Sequence, residues 1–173
     1  MEIEELSDLV KRHGKAIYSF CRVLAANRAD ADDLYQETFL KAVEKREQLD
    51  ASRNPKGFLL SIAVGLRRNH RRKFAWRQRI APMDELAAAD DRFDLAGGAT
   101  PEETAISREL RDRIRDAADG LGDKLKIPLY LFYTADMSVD EIASALQIPV
   151  GTVKSRLHQA RRTMKEKLEA ELL

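Results

Sequence analysis

From Ser138 to Arg162 the chain reads SVDEIASALQIPVGTVKSRLHQARR, and this stretch leaves little room for any fold but one helix crossing another. Ser138-Val139-Asp140-Glu141 has the S-x-x-E form of a capping box, set ahead of the apolar Ile142 and Leu146. Gln147-Ile148-Pro149 then breaks the helical pattern. Beyond the break, Val153, Leu157, Ala160 and Met164 recur at i, i+4, i+7 and i+11, which predicts a second helix with one buried stripe. Helices over Val139–Leu146 and Val150–Leu168, joined by about three residues, make a helix-turn-helix. Ala143 is small, as a close crossing requires, and Ile148 is placed to plug the gap between the two helices.

The remainder of the chain is also helical in period, and no strand-like alternation stands out. Leu6, Leu9, Val10, Ile17, Phe20 and Leu24 predict a helix over Glu2 to about Leu24, with a break near Gly14. Ala31, Leu34, Tyr35, Thr38, Phe39, Ala42 and Val43 form the stripe of a second, from Asp30 to about Glu47. Asn54-Pro55 reads as N-cap and first residue of a third, in which Pro loses no hydrogen bond. That helix carries Phe58, Leu59, Ile62, Ala63 and Leu66 toward Arg79. A first domain of about three helices thus covers residues 1–80.

Residues 81–100 hold Pro82, Ala-rich and Asp-rich runs and Gly97-Gly98, and read as a flexible acidic linker. Thr100-Pro101-Glu102-Glu103 starts the next helix, with Thr as cap and acids in the first turn. Residues 101–173 form a second domain of four helices, including Pro101–Ala118 and Lys124–Thr134. The expected fold class is therefore all-α, two small helical domains on a tether.

Net charge is only +1, but its distribution is uneven. Ala51 to Met83 has nine bases and no acid; Asp84 to Thr104 has seven acids against Arg92; Gln147 to Lys167 has six bases against Glu166. Two basic blocks flanking an acidic one suggest a polyanion met at two places. The single cysteine, Cys21, excludes an internal disulfide and fits a small buried hydrophobe. His13, His70 and His158 lack metal-ligand spacing, and no Gly-rich phosphate loop occurs. No catalytic residue, metal or other cofactor is expected. The N-terminus lacks the form of a signal peptide and no apolar run is long enough to span a bilayer, so the expected location is cytoplasmic, without membrane insertion.

Three surfaces merit attention. The last helix spreads Thr152, Lys154, Ser155, Arg156, His158, Gln159 and Arg162 over faces away from its buried stripe. Short polar and basic side chains at the start of a second helix suit the major groove, and a solvated basic helix is the alternative. Gly65 to Arg79, GLRRNHRRKFAWRQR, interleaves bases with Phe74 and Trp76. Phosphates attract such bases, while the two aromatics fit packing in the domain core or at its edge better than stacking on bases. Gly65 inside a helix suggests a close approach there. In DADDLYQETFLKAVEK, Asp33, Gln36, Glu37 and Leu40 lie opposite the buried stripe. They read either as a docking surface or as a solvated face with a Glu37–Lys41 pair.

Taken together these stretches closely resemble the extracytoplasmic-function group of the sigma-70 family, bacterial subunits that direct RNA polymerase to promoters. DADDLYQETFLKA is similar to the family's second region, NPKGFLLSIAVGLRRNHRRK to the promoter-melting segment after it, and MSVDEIASALQIPVGTVKSRLHQARRTMKEKL to its C-terminal helix-turn-helix. The resemblance implies a region 2-like bundle of three to four helices and a region 4-like domain. It implies docking of Asp33, Gln36, Glu37 and Leu40 on core RNA polymerase. It implies that the loop from Asp50 to Lys56, with Arg53 and Asn54, holds a flipped base of the −10 element. Arg67, Arg68, Asn69, Arg71, Arg72 and Lys73 would track that element, and Thr152, Lys154, Ser155, Arg156, His158, Gln159 and Arg162 would meet the −35 element. It also implies an anti-sigma factor beside promoter DNA and core polymerase as partners.

This sequence departs from the family pattern at several positions. Val64-Gly65 stands where Arg-Asn is frequent, Asn69 where Asp is, Val43 where Trp is, and Gln159 where Arg is. GLGDKLKIPLYLFY also diverges, which implies a differently set second helix in the C-terminal domain. A stand-alone helix-turn-helix regulator, binding duplex DNA without polymerase, is the alternative from another class.

Overall fold

The computed structural model describes residues 3–48, 53–80 and 105–170, and every regular element among them is helical: seven α-helices and one 3-10 turn. The chain divides into two compact units, Met1–Leu95 and Ala96–Leu173. The expected linker, 81–100, and the helix start at Thr100–Glu103 lie outside the described residues.

The first unit is built from α1 (Ile3–Leu24), α2 (Arg28–Glu44) and α3 (Pro55–Ile80), each packed on the other two. Leu6, Leu9, Ile17, Phe20 and Leu24 of α1 meet Ala31, Leu34 and Ala42 of α2 and Leu59, Leu60, Ile62 and Ala63 of α3 in one core. Burying each large side chain contributes roughly 1.5–3 kcal/mol. Thr38 is the buried polar residue of this core, and its hydroxyl donates to the Leu34 carbonyl at 2.6 Å, so no polar group is stranded. Cys21 lies beside it, and burial pushes its thiol up to about 12, leaving it un-ionised at neutral pH.

Two boundaries differ from the sequence expectation. No break occurs at Gly14: α1 runs unbroken, and a Cβ at Gly14 would lie 2.9 Å from the Tyr35 hydroxyl of α2. The glycine therefore serves close approach between helices. Helix α2 begins two residues earlier than expected because Asn27 caps it, its Oδ1 accepting from the Asp30 N–H at 2.9 Å. It ends at Glu44, before a 3-10 turn at Arg46–Gln48. The α1–α2 contact is tied by the Tyr18 hydroxyl donating to Asp32 Oδ1 at 2.7 Å. Helix α3 opens as expected, with the Gly57 N–H donating to Asn54 Oδ1 at 2.9 Å.

The second unit contains α4 (Ala105–Asp119), α5 (Asp123–Tyr133), α6 (Val139–Leu146) and α7 (Val150–Ala170). Helices α4, α5 and α6 all pack on α7, whose Val153, Leu157 and Ala160 are buried. Met164, fourth in the expected stripe, is half-buried. Ile142 and Ala143 of α6, Leu129 and Leu131 of α5, Ala117 of α4, and Leu121, Ala135 and Met137 between helices are buried with Val153, Leu157 and Ala160. Pro128 lies fully buried inside α5, where it removes a backbone hydrogen bond at a cost of about 3 kcal/mol that its packing must offset.

Candidate promoter and polymerase interfaces

The α6–α7 pair is defined by local chemistry at each end of α6. Ser138 Oγ accepts from the Glu141 N–H at 3.2 Å, and Glu141 Oε2 accepts from the Ser138 N–H at 2.7 Å, closing the capping box. At the other end Gln147 takes a left-handed conformation (φ 56°), and the Ile148 N–H donates to the Ala143 carbonyl at 3.1 Å. A non-glycine residue carries this strained turn, and Gln147 Nε2 also donates to the Ser144 carbonyl at 3.1 Å. Ile148 is half-buried, so it fills the gap only in part. The Pro149 carbonyl accepts the first bonds of α7 from Thr152 and Val153.

Helix α7 then separates its faces cleanly. Opposite Val153, Leu157 and Ala160, the side chains of Lys154, Ser155, His158, Gln159 and Arg162 are exposed, and Thr152 and Arg156 are half-buried at the margins. Thr152 to Gln159 spans about 10 Å along the axis, which fits within a major groove about 12 Å wide. Arg162 is partly committed, its Nε donating to Glu166 Oε1 at 2.9 Å.

Helix α3 changes character along its length. Gly57, Leu59, Leu60, Ile62, Ala63 and Val64 are buried, and no residue after Val64 is. Asn69, Arg71, Arg72, Lys73, Arg77 and Arg79 are exposed, while Arg67 and Arg68 are half-buried. Phe74 and Trp76 pack neither in the domain core nor at its edge: they are 56% and 64% exposed, because α3 has already left the bundle where they occur. Gly65 shows no close approach either, since a Cβ there would meet nothing within 4 Å.

Arg53 and Asn54 lie at the opposite end of α3 from the basic patch. From Asn54 to Asn69 is about 22 Å along the axis, so the structure does not bring these residues into one site. Residues 50–52 of the expected base-holding loop lie outside the described residues. Asn54 is engaged as the helix cap.

On α2, Asp33, Gln36 and Leu40 are exposed, Leu40 by 66%, and Glu37 is half-buried. Glu37 does not take the expected pair with Lys41. Lys41 pairs with Glu44, and Glu37 Oε2 meets His70 Nε2 of α3 at 2.9 Å. Glu37, Leu66, Asn69, His70, Arg72 and Lys73 together line a shallow pocket of about 390 Å³. Sequence reasoning passed over His70, although its i+4 relation to Leu66 puts both on one side of the helix.

The sequence pattern described as Sigma-70 region 2 matches residues 9–78, and that described as Sigma-70, region 4 matches residues 111–164. The chain is 29% identical over 170 residues to the ECF RNA polymerase sigma factor SigW of Bacillus subtilis (strain 168), covering 95% of this chain and 89% of the relative. It is 32% identical over 152 residues to the RNA polymerase sigma factor HrpL of Pseudomonas syringae pv. syringae, covering 87% and 80%. With the ECF RNA polymerase sigma-E factor of Haemophilus influenzae it shares 30% over 148 residues, covering 83% and 77%. In fold it is similar to the sigma factor RpoE solved with the anti-sigma factor NepR from Bartonella quintana, at TM-score 0.71, 19% identity and coverage of 96% and 98%. It is also similar to CnrH solved with the cytosolic domain of CnrY, at TM-score 0.60, 21% identity and coverage of 98% and 90%.

Proposed function

Since the chain belongs to the extracytoplasmic-function group of the sigma-70 family, we propose that its exposed surfaces divide promoter recognition among three tasks. The protein is a sigma factor: it binds core RNA polymerase, recognises promoter DNA and initiates transcription. The stand-alone regulator gives way, because the region 2 pattern accounts for a whole unit that an operator-binding protein would not need.

In our reading the α2 face of Asp33, Gln36, Glu37 and Leu40 docks on core polymerase. Asn69, Arg71, Arg72 and Lys73, with Arg67 and Arg68 beneath them, follow the −10 element. Arg53 and Asn54 stand near a base held out of the stack. The 22 Å between these two groups corresponds to about six nucleotides at 3.4 Å each. On α7, Thr152, Lys154, Ser155, Arg156, His158, Gln159 and Arg162 meet the −35 duplex. The observation that carries the reading is the distribution of exposed bases: both the outer half of α3 and the outer face of α7 present cations without a matching set of acids. Two weak DNA contacts on one chain gain by effective concentration once polymerase sets their spacing.

The chain has no chemistry of its own in this scheme; polymerase makes the bonds. It works in the cytoplasm, and no helix among the described residues is long and apolar enough to cross a membrane. An anti-sigma factor is its regulator, as one accompanies the similar RpoE of Bartonella quintana. Run-off transcription with core polymerase, with and without the chain, tests the whole reading: selective initiation is expected, and none with a compatible core enzyme would sink it. Leu40→Ala tests the docking face. It should leave the free chain's stability within about 0.5 kcal/mol and weaken capture of core polymerase. Unchanged capture in a competition assay would remove Leu40 from the interface.

A further inference from the structure

Arg161 of α7 belongs to none of the surfaces above, yet it is held in place by aromatic side chains of α5. Its Nε donates to the Tyr133 hydroxyl at 2.7 Å. Its guanidinium lies 5.6 Å from the ring centroids of both Phe132 and Tyr133 at the end of α5. The two rings stand edge to face, 5.0 Å apart at 75°. Other cations nearby are held by carboxylates: Arg162 by Glu166, Lys165 by Glu169. Among the described residues, Arg161 has only these neutral aromatic partners.

An acid partner orients a cation and also cancels its field. An aromatic seat orients the cation and leaves the charge for an outside anion. Arginine has five N–H donors in a fixed fork, so with Nε used, four remain on the two Nη atoms. The Tyr133 hydroxyl, which accepts from Nε, keeps its own proton to donate, and Tyr133 is 57% exposed. Lys154, His158 and Arg161 fall at i, i+4 and i+7, one line along the edge of the face assigned to the groove. A cation at the edge of a groove-bound helix meets the sugar-phosphate backbone, not base edges.

We propose that Arg161 and Tyr133 form a composite clamp for one backbone phosphate of the −35 duplex, with Phe132 holding the guanidinium in place. The clamp rests on the assignment of α7 to that duplex. A phosphate contact carries no sequence information, so it should add affinity equally for all duplexes and add to the salt dependence.

The test is fluorescence anisotropy of the full-length chain over a potassium chloride series, on a duplex bearing the −35 element and on one of arbitrary sequence. Arg161→Gln should weaken both about fivefold near 0.15 M salt and lower the slope of log affinity against log salt by about 0.9. Tyr133→Phe keeps the ring and the charge, and should weaken both about twofold at unchanged slope. A parental slope for Arg161→Gln, or weakening confined to one of the two duplexes, overturns the clamp. If melting curves show that Arg161→Gln unfolds its unit, Tyr133→Phe decides: weaker binding at unchanged slope supports the clamp, and parental affinity overturns it. Lys154→Gln separates this inference from its premise. If Lys154→Gln lowers the slope and Arg161→Gln does not, the clamp alone falls; if neither does, the assignment of α7 falls with it.

Discussion

The two basic helices of this protein, α3 and α7, both bury residues only in their first halves, but α7 sets its polar face over the buried stripe and α3 sets its bases beyond it. Helix α7 is anchored along its first half, with Val153, Leu157 and Ala160 buried beneath the exposed polar face. Helix α3 spends its anchorage early: six residues are buried by Val64 and none after it. Under the proposed assignment α7 reads a duplex major groove, whose fixed shape suits a rigid mount, and the buried stripe beneath its polar face supplies one. Under the same proposed assignment the outer half of α3 meets melted DNA, which has no fixed shape until it is bound, and it offers charge and two exposed aromatic rings on a segment with no buried residue, tied to α2 by the Glu37–His70 pair.

The sharpest way to break this contrast is to cut a large apolar side chain from each helix. Leu157→Ala should cost about 2–5 kcal/mol and lower the melting temperature of the C-terminal unit, taking promoter-specific transcription with it. Trp76→Ala removes a larger side chain, yet should change stability by no more than about 0.5 kcal/mol. Comparable destabilisation by the two, read from thermal melts, would show that the end of α3 is packed after all. Next in size is the reading face itself. Gln159→Arg exchanges a side chain suited to adenine for one suited to guanine, worth about 1–3 kcal/mol of discrimination. Selection of −35 sequences from a random library should shift, and an unchanged preference would show that Gln159 lies off the bases. The smallest effect concerns the point where α3 leaves its bundle. Gly65→Ala should stabilise the first unit by up to about 1 kcal/mol, because the Cβ meets open space and the helix gains propensity. A lower melting temperature would mean that this position needs its glycine.

What could be read from the sequence follows the reach of each interaction. The capping box at Ser138, the Asn54 cap and the first three residues of the α7 stripe are local, and each stands in the structure as the residues imply. Gly14 and Gly65 show the limit: both are glycines within helices, and only the opposing chain tells them apart. At Gly14 the Tyr35 hydroxyl fills the space a Cβ would need; at Gly65 nothing does. The pairs Glu37–His70 and Tyr133–Arg161 cross 33 and 28 positions of sequence, and no periodicity announces a partner at that distance. Phe74 and Trp76 were misleading because aromatic residues are core residues by habit, and only the exit of α3 from the bundle exposes them.

One continuous helix, Pro55–Ile80, carries both the Asn54 end and the basic end of the first unit. Its 26 residues make a rod about 39 Å long, and a rod fixes phase as well as distance. One residue gained or lost near Gly65 would shift the basic cluster by only 1.5 Å, but would turn it by about 100° about the axis. Insertions and deletions here therefore act on direction far more than on length. Change of four residues, close to a full turn, nearly restores the original bearing, so length variation along this segment is tolerated in steps rather than continuously.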